Sequence, residues 1–186
     1  VYRLGRICYQ KNPTLINEIA DSLPDVKFVW IGDGELRDQL TSENIEITGW
    51  ADRSTAIRYA VNADVFLLPS RWEGLPISLL ESMYMKKACV VSNVIGNRDV
   101  IHNGENGFAC TKVEDFVKAI EECQDENGKL TERAYQDIMK RYNTKEMAEQ
   151  YSKKYEMAIN KRGGVQPNVR LYVLTNDDYA TAKAVA

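Results

Sequence analysis

Residues 65–92 of the sequence read VFLLPSRWEGLPISLLESMYMKKACVVS. The two ends of this stretch, VFLLP and ACVVS, are apolar at successive rather than alternate positions, as in a strand that is buried on both faces. The segment between them opens with Gly74 and Pro76, and proline favours the first turn of a helix. We therefore predict a helix over residues 76–85 that connects two parallel strands of one sheet.

Short apolar runs alternate with helical periodicity along most of the chain, which is typical of α/β proteins. The alternation predicts a Rossmann-like open parallel sheet with helices on both faces, in one domain at residues 1–160. Residues 129–160 have the pattern of two helices, and residues 161–186 are predicted to add a strand and the start of a helix, with no role assigned. The predicted strands are 1–5, 26–31, 45–48, 65–68, 88–92 and 107–111, and the other predicted helices are 14–23, 35–40, 54–60, 98–102 and 113–123.

Composition excludes several classes of function. The 186 residues have a formal net charge of -3, and their cations are scattered among acids, so we predict no nucleic-acid partner. No apolar segment approaches the ~20 residues of a membrane span, and no signal peptide opens the chain. The four cysteines are far apart without a C-x-x-C pair, which indicates reduced thiols and a cytoplasmic protein. One histidine and dispersed cysteines form no zinc set, so no metal site is predicted.

The loops that follow the strands are the places where an open parallel sheet binds ligands. GRICYQKN follows the first predicted strand and carries Arg6 and Lys11, and IGDGEL follows the second and carries Gly32 and Gly34. TGW follows the third strand and ends at Trp50, and SRWEGLP follows the fourth. These four loops therefore contain the candidate functional residues.

Two glutamates flank the predicted start of the helix at residue 76. Glu73 lies on the loop, whereas Glu81 lies in the second helical turn and can lean back towards the same rim. In one continuous helix the two would stand about 12 Å apart, at ~1.5 Å per residue. That is too far for a pair of carboxylates that flank a single bond. We therefore expect the two acids to address separate parts of one elongated ligand.

The start of this helix is also a candidate anion site, because the first backbone N–H groups of a helix are free and its dipole is positive there. The amides in question belong to Ile77 and Ser78. Together with Arg6 and Lys11 from the first loop, they are expected to converge on one spot that suits a diphosphate. Carboxylates accept hydrogen bonds from sugar hydroxyls, so acids on both sides of a diphosphate predict a nucleotide sugar as the ligand.

Five segments resemble, in order and in spacing, the retaining glycosyltransferases of family 4, the group 1 transferases of GT-B fold. They are GRICYQK, IGDGEL, TGW, ADVFLLPSRWEGLPISLLESM and NRDVIHNGENGF. The likeness covers residues 1 to about 160 and corresponds to one half of the GT-B fold, the C-terminal nucleotide-sugar-binding domain. The opening VYRLGR already has the pattern of a strand, so we expect the sequence to begin inside a larger protein.

The resemblance implies a role for each candidate residue. Arg6 and Lys11 would contact the donor diphosphate. Glu73 would contact the transferred sugar and Glu81 the ribose hydroxyls. Trp50 would lie where the protein backbone contacts the base of the nucleotide. The predicted catalytic residues are thus Glu73, Arg6 and Lys11, and the predicted donor-binding residues are Gly5, Gly32, Gly34, Trp50, Gly74, Leu75, Ile77, Ser78 and Glu81.

The resemblance further implies a hexosyltransferase of polysaccharide biosynthesis that needs no cofactor and no metal. Its donor would be a nucleotide-diphosphate sugar, with a UDP-sugar favoured, and its acceptor a saccharide or glycolipid bound by a missing N-terminal domain. The chain would then be half of the active enzyme, and the full-length protein is expected to associate peripherally with the inner face of the membrane. One departure from the family pattern is Asp99, which stands where many members carry glutamate.

Two other classes of function stay open at this point. The chain could be a non-catalytic Rossmann-like interaction module that serves the missing half, or a sugar-nucleotide epimerase, which would be expected to carry more acid–base histidines. Single residues also have simpler explanations. The glutamates and the two cations can be ordinary surface charges, the G-x-G pair a turn, and Trp50 a core residue as readily as a ligand contact.

Overall fold

The structure, a computed structural model, describes residues 1–125 and 127–161. The chain divides into two compact units, Val1–Met139 and a second unit that begins at Lys140. The predicted tail, from residue 162 onward, lies outside the described residues.

The first unit is built on one parallel sheet, and all six of its strands were predicted. Their ends lie within two residues of the predicted bounds. The strands are β1 (Tyr2–Leu4), β2 (Phe28–Ile31), β3 (Ile45–Ile47), β4 (Val65–Leu68), β5 (Ala88–Ser92) and β6 (Phe108–Cys110). They pair in parallel in the order β3-β2-β1-β4-β5-β6, which is the Rossmann order. The predicted fold class is confirmed.

Six α-helices connect or follow the strands in the described residues, and both helices predicted within residues 129–160 are present. Asp52 caps the second helix, because its carboxylate accepts a hydrogen bond from the Thr55 amide at 2.7 Å, and this bond lowers the pKa of Asp52. The helices are α1 (Pro13–Asp21), α2 (Arg53–Val61), α3 (Ile77–Tyr84), α4 (Val113–Asp125), α5 (Asn127–Arg141) and α6 (Thr144–Lys161).

Two predicted helices are wrong. Residues 35–40 contain only a short 3₁₀ turn, Arg37–Gln39, and residues 98–100 form turns while residues 101–102 have no regular structure. In the segment 98–102, the buried Asn106 side chain forms hydrogen bonds with backbone groups that would otherwise form the hydrogen bonds of a helix. Its Oδ1 accepts from the His102 amide at 2.7 Å, and its Nδ2 donates to the Val100 carbonyl at 3.1 Å.

The core lies on both faces of the sheet. Every residue of β4 and of β5 is buried, as their unbroken apolar runs predict. On one face, α1 and α4 pack against Trp30, Leu67 and Val90. On the other face, the Tyr2 ring lies 5.2 Å from the Phe66 ring, and the Tyr2 hydroxyl donates to Ser82 Oγ of α3.

The strand order places a topological switch point between β1 and β4, where ligands of doubly wound sheets bind at the carboxyl ends of the strands. We use the name switch-point site for the two loops that leave this point, residues 5–12 after β1 and residues 69–76 after β4. None of the helices within residues 1–125 and 127–161 is long and apolar enough to cross a bilayer.

Candidate active site

Three hydrogen bonds, one between backbone groups and two from side chains to backbone carbonyls, join the two loops of the switch-point site. The Arg71 amide donates to the Gln10 carbonyl at 2.8 Å, and the Gln10 side chain donates to the Trp72 carbonyl at 2.9 Å. Asn12 Nδ2 also donates to the Pro69 carbonyl at 3.4 Å. These contacts fix the short 3₁₀ turn Tyr9–Lys11 against the loop that carries Glu73.

Lys11 and Glu73 form a buried ion pair inside this frame. Lys11 Nζ lies 2.5 Å from Glu73 Oε1, and only 18% of the lysine side chain and 6% of the glutamate side chain are exposed. The pair joins the loop after β1 to the loop after β4, a contact that the sequence analysis did not predict. In this structure, however, the ammonium group holds the carboxylate rather than standing free for a phosphate. An ion pair so poorly exposed is costly to separate unless other charges replace the lost partner.

Arg6 follows the same strand but has a different partner. Its Nε donates to Glu35 Oε2 at 2.9 Å, and most of the side chain is exposed. Glu35 belongs to the loop after β2. An acid from the β2 loop thus holds the Arg6 guanidinium in this structure, and the convergence of Arg6 and Lys11 on a diphosphate stays a prediction.

The glycine pair of the β2 loop has a packing role. A Cβ on Gly32 would lie 2.2 Å from the Gly5 carbonyl oxygen, and a Cβ on Gly34 would lie 2.2 Å from the Ile7 carbonyl oxygen. Gly32 also has a φ of 142°, which side chains rarely adopt. Both glycines thus let the β2 loop lie against the β1 loop, a close approach to the protein's own backbone that needs no ligand.

Trp50 ends the loop after β3 and is 84% exposed, so it is not a core residue. An isolated bridge between Gly32 and Gly49 brings its loop beside the β2 loop. Trp50 is therefore free to contact a ligand at the carboxyl edge of the sheet.

The first amides of α3 have no hydrogen-bond partner within residues 1–125 and 127–161, as predicted, although the helix begins one residue later than expected. Pro76 is the N-cap residue rather than the first helical residue. The helical hydrogen bonds begin with the Leu79 amide, which donates to the Pro76 carbonyl at 3.0 Å. The amides of Ile77 and Ser78 precede this ladder and are available as anion donors. The loop before them, Gly74 and Leu75, is exposed.

Glu81 lies in a different environment from Glu73. Arg53 Nη1, at the start of α2, is 3.0 Å from Glu81 Oε1, and 34% of the glutamate and 79% of the arginine are exposed. The two acids thus lie in different surroundings, one in a poorly exposed pair and the other in a solvated pair, and their separate roles stay a prediction. Sequence reasoning missed Arg53, since no local pattern relates the start of α2 to the second turn of α3.

A third loop, after β5, supports the switch-point site and was not predicted to do so. Gly96 has a φ of 88°, and a Cβ there would lie 2.1 Å from the Gly74 carbonyl oxygen. Beneath it, Ser92 Oγ donates to the Ser70 carbonyl at 2.5 Å, and the buried Asn97 side chain donates to the Ser92 carbonyl at 3.0 Å. The IGN sequence after a buried strand was the available signal, because glycine and asparagine suit such tight loops.

Two exposed aromatic rings border the site. The Tyr9 and Trp72 rings lie 5.9 Å apart, and the Arg71 guanidinium lies 4.5 Å from the centre of the Tyr9 ring. Both rings are more than half exposed, and Trp72 directly precedes Glu73. Together with the free amides of α3 and the buried lysine, this arrangement can bind an anion that also carries hydroxyl groups and a flat or apolar moiety.

No group of three or more potential metal ligands occurs in the part of the chain that the structure describes.

Comparisons with known proteins identify the family of the chain and its fold. The model of a protein family described as "Glycosyl transferases group 1" matches residues 2–126, about two thirds of the chain. The UDP-Gal:alpha-D-GlcNAc-diphosphoundecaprenol alpha-1,3-galactosyltransferase of Escherichia coli is 35% identical over 134 residues, which cover 63% of this chain and 34% of the relative.

Two solved structures share the fold. HepE of Anabaena, crystallised in complex with UDP-glucose, superposes with a TM-score of 0.72 at 18% identity, over 84% of this chain and 48% of that one. The C-terminal domain of a glycosyl transferase group 1 family protein, LpcC of Francisella tularensis, gives a TM-score of 0.65 at 18% identity, over 77% of this chain and 86% of that one. The chain thus spans about a fifth to a half of the length of the curated relatives it matches, but most of an isolated C-terminal domain.

Proposed function

The chain belongs to the group 1 glycosyltransferases, and on that premise we propose that residues 1–160 are the nucleotide-sugar-binding half of a retaining hexosyltransferase. The observation that carries the proposal is the buried contact between Lys11 and Glu73 at the switch point. It joins the two loops that the family resemblance assigns to the donor diphosphate and to the transferred sugar. The free amides of α3 start in the next segment of the same loop.

In the proposed reaction the anomeric carbon of the sugar forms a bond to an acceptor hydroxyl oxygen, which loses its proton. The bond between the sugar and the donor phosphate breaks, and negative charge develops on the departing nucleoside diphosphate. Lys11, Arg6 and the amides of Ile77 and Ser78 are the groups that would stabilise this charge. Preorganised donors of this kind contribute strongly, since removal of one typically costs ~10²–10³ in rate. We propose that these groups suffice without a metal ion. The proposal is tested by the affinity for UDP in EDTA, which is expected to equal the affinity in magnesium.

The two glutamates keep the separate roles that the resemblance implies. Glu73, fixed by Lys11 and 3.5 Å from the Gln10 side chain, would accept hydrogen bonds from the transferred sugar. Glu81, partly exposed, would exchange its bond to Arg53 for the ribose hydroxyls. Trp50 is exposed at the same edge of the sheet and would lie beside the base.

UDP is the proposed nucleotide, in keeping with the resemblance. The E. coli relative uses UDP-Gal and a diphosphoundecaprenol-linked sugar by its name, and the HepE structure contains UDP-glucose. A saccharide or glycolipid acceptor, an N-terminal half that binds it, a cytoplasmic location and peripheral association with the membrane belong to the same proposal.

Calorimetric titration of the chain with UDP, GDP and ADP, and then with their sugar conjugates, tests the donor assignment. We expect UDP to bind more tightly than GDP and ADP, and a UDP-hexose to bind with a further contribution from Glu73. If none of the six compounds binds at millimolar concentration, the proposal is wrong.

A non-catalytic interaction module is the second candidate, and one observation favours it. Leu75, Ile77 and Ile95 are large apolar residues that are more than half exposed at the carboxyl edge of the sheet, as a surface that docks another domain would be. The titration separates the two functions, because an interaction module would bind none of the nucleotides. No observation favours the epimerase alternative.

A further inference from the structure

Tyr9 and Trp72 are two large aromatic residues that lie side by side and largely in solvent. Tyr9 is 61% and Trp72 52% exposed, and their ring centres lie 5.9 Å apart at an interplanar angle of 51°. The Arg71 guanidinium lies over the Tyr9 ring, 4.5 Å from its centre. Tryptophan, tyrosine and arginine are the residue types that are enriched at binding hot spots. We use the name aromatic platform for Tyr9, Arg71 and Trp72.

Hydrogen bonds between the two loops of the switch-point site hold the backbone of the aromatic platform in place. Gln10 follows Tyr9 in the chain. Its carbonyl accepts from the Arg71 amide at 2.8 Å, and its side chain donates to the Trp72 carbonyl at 2.9 Å. These bonds use backbone groups and Gln10, so the three side chains of the platform are not needed to join the loops. A surface that is already ordered loses little conformational freedom when a ligand binds.

The aromatic platform carries a positive charge. The Arg71 side chain is exposed, and it forms no ion pair or side-chain hydrogen bond within residues 1–125 and 127–161. The Lys11 ammonium, from the same 3₁₀ turn as Tyr9, is already engaged by the Glu73 carboxylate. A guanidinium presents a fork of N–H donors that matches a carboxylate or a phosphate. An anionic group is therefore the ligand feature that Arg71 suits.

The two rings of the platform suit the face of a sugar ring. An aromatic ring is partially negative on its face. The C–H groups on one face of a pyranose are partially positive and weakly hydrated, whereas its hydroxyl groups point outward and stay in water. A sugar can therefore cover Tyr9 or Trp72 without leaving a polar group unpaired. A sugar with a carboxylate or a phosphate group matches both the rings and the arginine.

We propose that the aromatic platform is an acceptor subsite, in which Tyr9 and Trp72 stack on a sugar of the acceptor and Arg71 binds an anionic group on that sugar. The inference rests on the proposed function, in which Glu73 contacts the transferred sugar. Trp72 directly precedes Glu73, and Gln10 Nε2 lies 3.5 Å from Glu73 Oε2, so the platform borders this carboxylate. An acceptor hydroxyl must lie close to the anomeric carbon of the transferred sugar. A sugar held on the platform meets that requirement.

The test is a titration of the full chain with three sugars, followed through the NMR signals of each sugar. Methyl glucoside is neutral, methyl glucuronide carries a carboxylate, and glucose 1-phosphate carries a phosphate. Each titration is run with and without saturating UDP, which occupies the proposed donor phosphate site. We expect at least one anionic sugar to bind about fivefold more tightly than methyl glucoside, because only the anionic sugars engage Arg71. The tighter of the two identifies the anionic group.

Variants of the platform locate the bound sugar. Trp72→Ala should weaken the binding of all three sugars about tenfold, because it removes a stacking surface. Arg71→Gln should abolish the preference for anionic sugars and leave methyl glucoside within about twofold of wild type. The matched control is Tyr151→Ala/Tyr155→Ala in α6, where two exposed rings lie 6.2 Å apart away from both loops of the site in the sequence. It should change no affinity, and a loss equal to that of Trp72→Ala overturns the proposal.

Nucleotide titrations of wild type and Trp72→Ala separate this inference from the proposed function. The gain in affinity of UDP-hexose over UDP should be the same in both proteins, and a smaller gain in Trp72→Ala would assign the platform to the transferred sugar and overturn the proposal. UDP binding without sugar binding overturns the acceptor subsite and leaves the proposed function intact, as when the platform docks another protein domain. Sugar binding without nucleotide binding refutes the proposed function, and the assignment of the sugar as an acceptor is overturned with it.

Discussion

The environments of Glu73 and Glu81 differ, although both acids flank the start of α3 and both are paired with a cation. Glu73 is almost fully buried with Lys11, in a frame made by the loops after β1 and β4. Glu81 is one third exposed and faces Arg53, which is itself mostly in solvent. A buried pair is kept in one geometry by its surroundings, whereas an exposed pair is worth little and exchanges readily with water or a ligand. Burial rather than residue type thus decides how each glutamate can function.

The largest expected effect is on stability. Glu73→Ala leaves the Lys11 ammonium without its partner in a poorly exposed place, so the free energy of unfolding should fall by about 3 kcal/mol. Glu81→Ala should cost less than about 1 kcal/mol, because its pair is solvated. Urea unfolding of both variants measures the difference, and equal losses would contradict the distinction between the two environments.

The support of the Glu73 loop by Gly96 gives the next largest effect. Gly96→Ala combines an unfavourable φ with a clash against the Gly74 carbonyl, so we expect a loss of about 2–3 kcal/mol in the free energy of unfolding. Gly104→Ala is the matched control, since Gly104 also has a positive φ but its added Cβ meets open space, and it should cost about 1 kcal/mol. If both variants lose the same amount, the β5 loop does not support the Glu73 segment.

The two glutamates should also differ in their effect on the affinity for UDP. Glu81→Ala should weaken the binding of free UDP about tenfold, or ~1.4 kcal/mol, because the ribose hydroxyls lose their acceptor. Glu73→Ala should spare free UDP and weaken only the UDP-hexose, since this carboxylate is assigned to the transferred sugar. Calorimetry with both ligands on both variants decides the matter. A similar loss of free UDP in the two variants refutes the assignment of separate roles.

The smallest effect is expected at Arg53. Arg53→Ala should change the free energy of unfolding by no more than about 0.5 kcal/mol, because the arginine side chain is mostly solvated. Lys11→Ala should cost several times as much, since it leaves the buried Glu73 carboxylate unpaired. A loss at Arg53 as large as that at Lys11 would mean that the Glu81 pair is structural, contrary to the comparison.

Local patterns predicted most of the fold. The unbroken apolar runs of β4 and β5 indicated strands buried on both faces, and each predicted strand is present within two residues. The prediction of a helix at 98–102 was wrong because Asn106, a residue outside that segment, forms hydrogen bonds with the backbone groups of His102 and Val100. The start of the helix at the site was predicted to within one residue, but the contact of Lys11 with Glu73 was not predicted, and the roles of the site residues stay predictions.

The sequence by itself determined the alternation of strands and helices, the parallel sheet and the loops that carry the candidate residues, because these depend on periodicity and on the chemistry of short segments. Only the tertiary structure decided which charges meet. It paired Arg6 with Glu35, Arg53 with Glu81 and Lys11 with Glu73. The partner of each charged residue depends on which loops the strand order brings side by side and on how far each pair is exposed to solvent. Neither property follows from the spacing of residues along the chain.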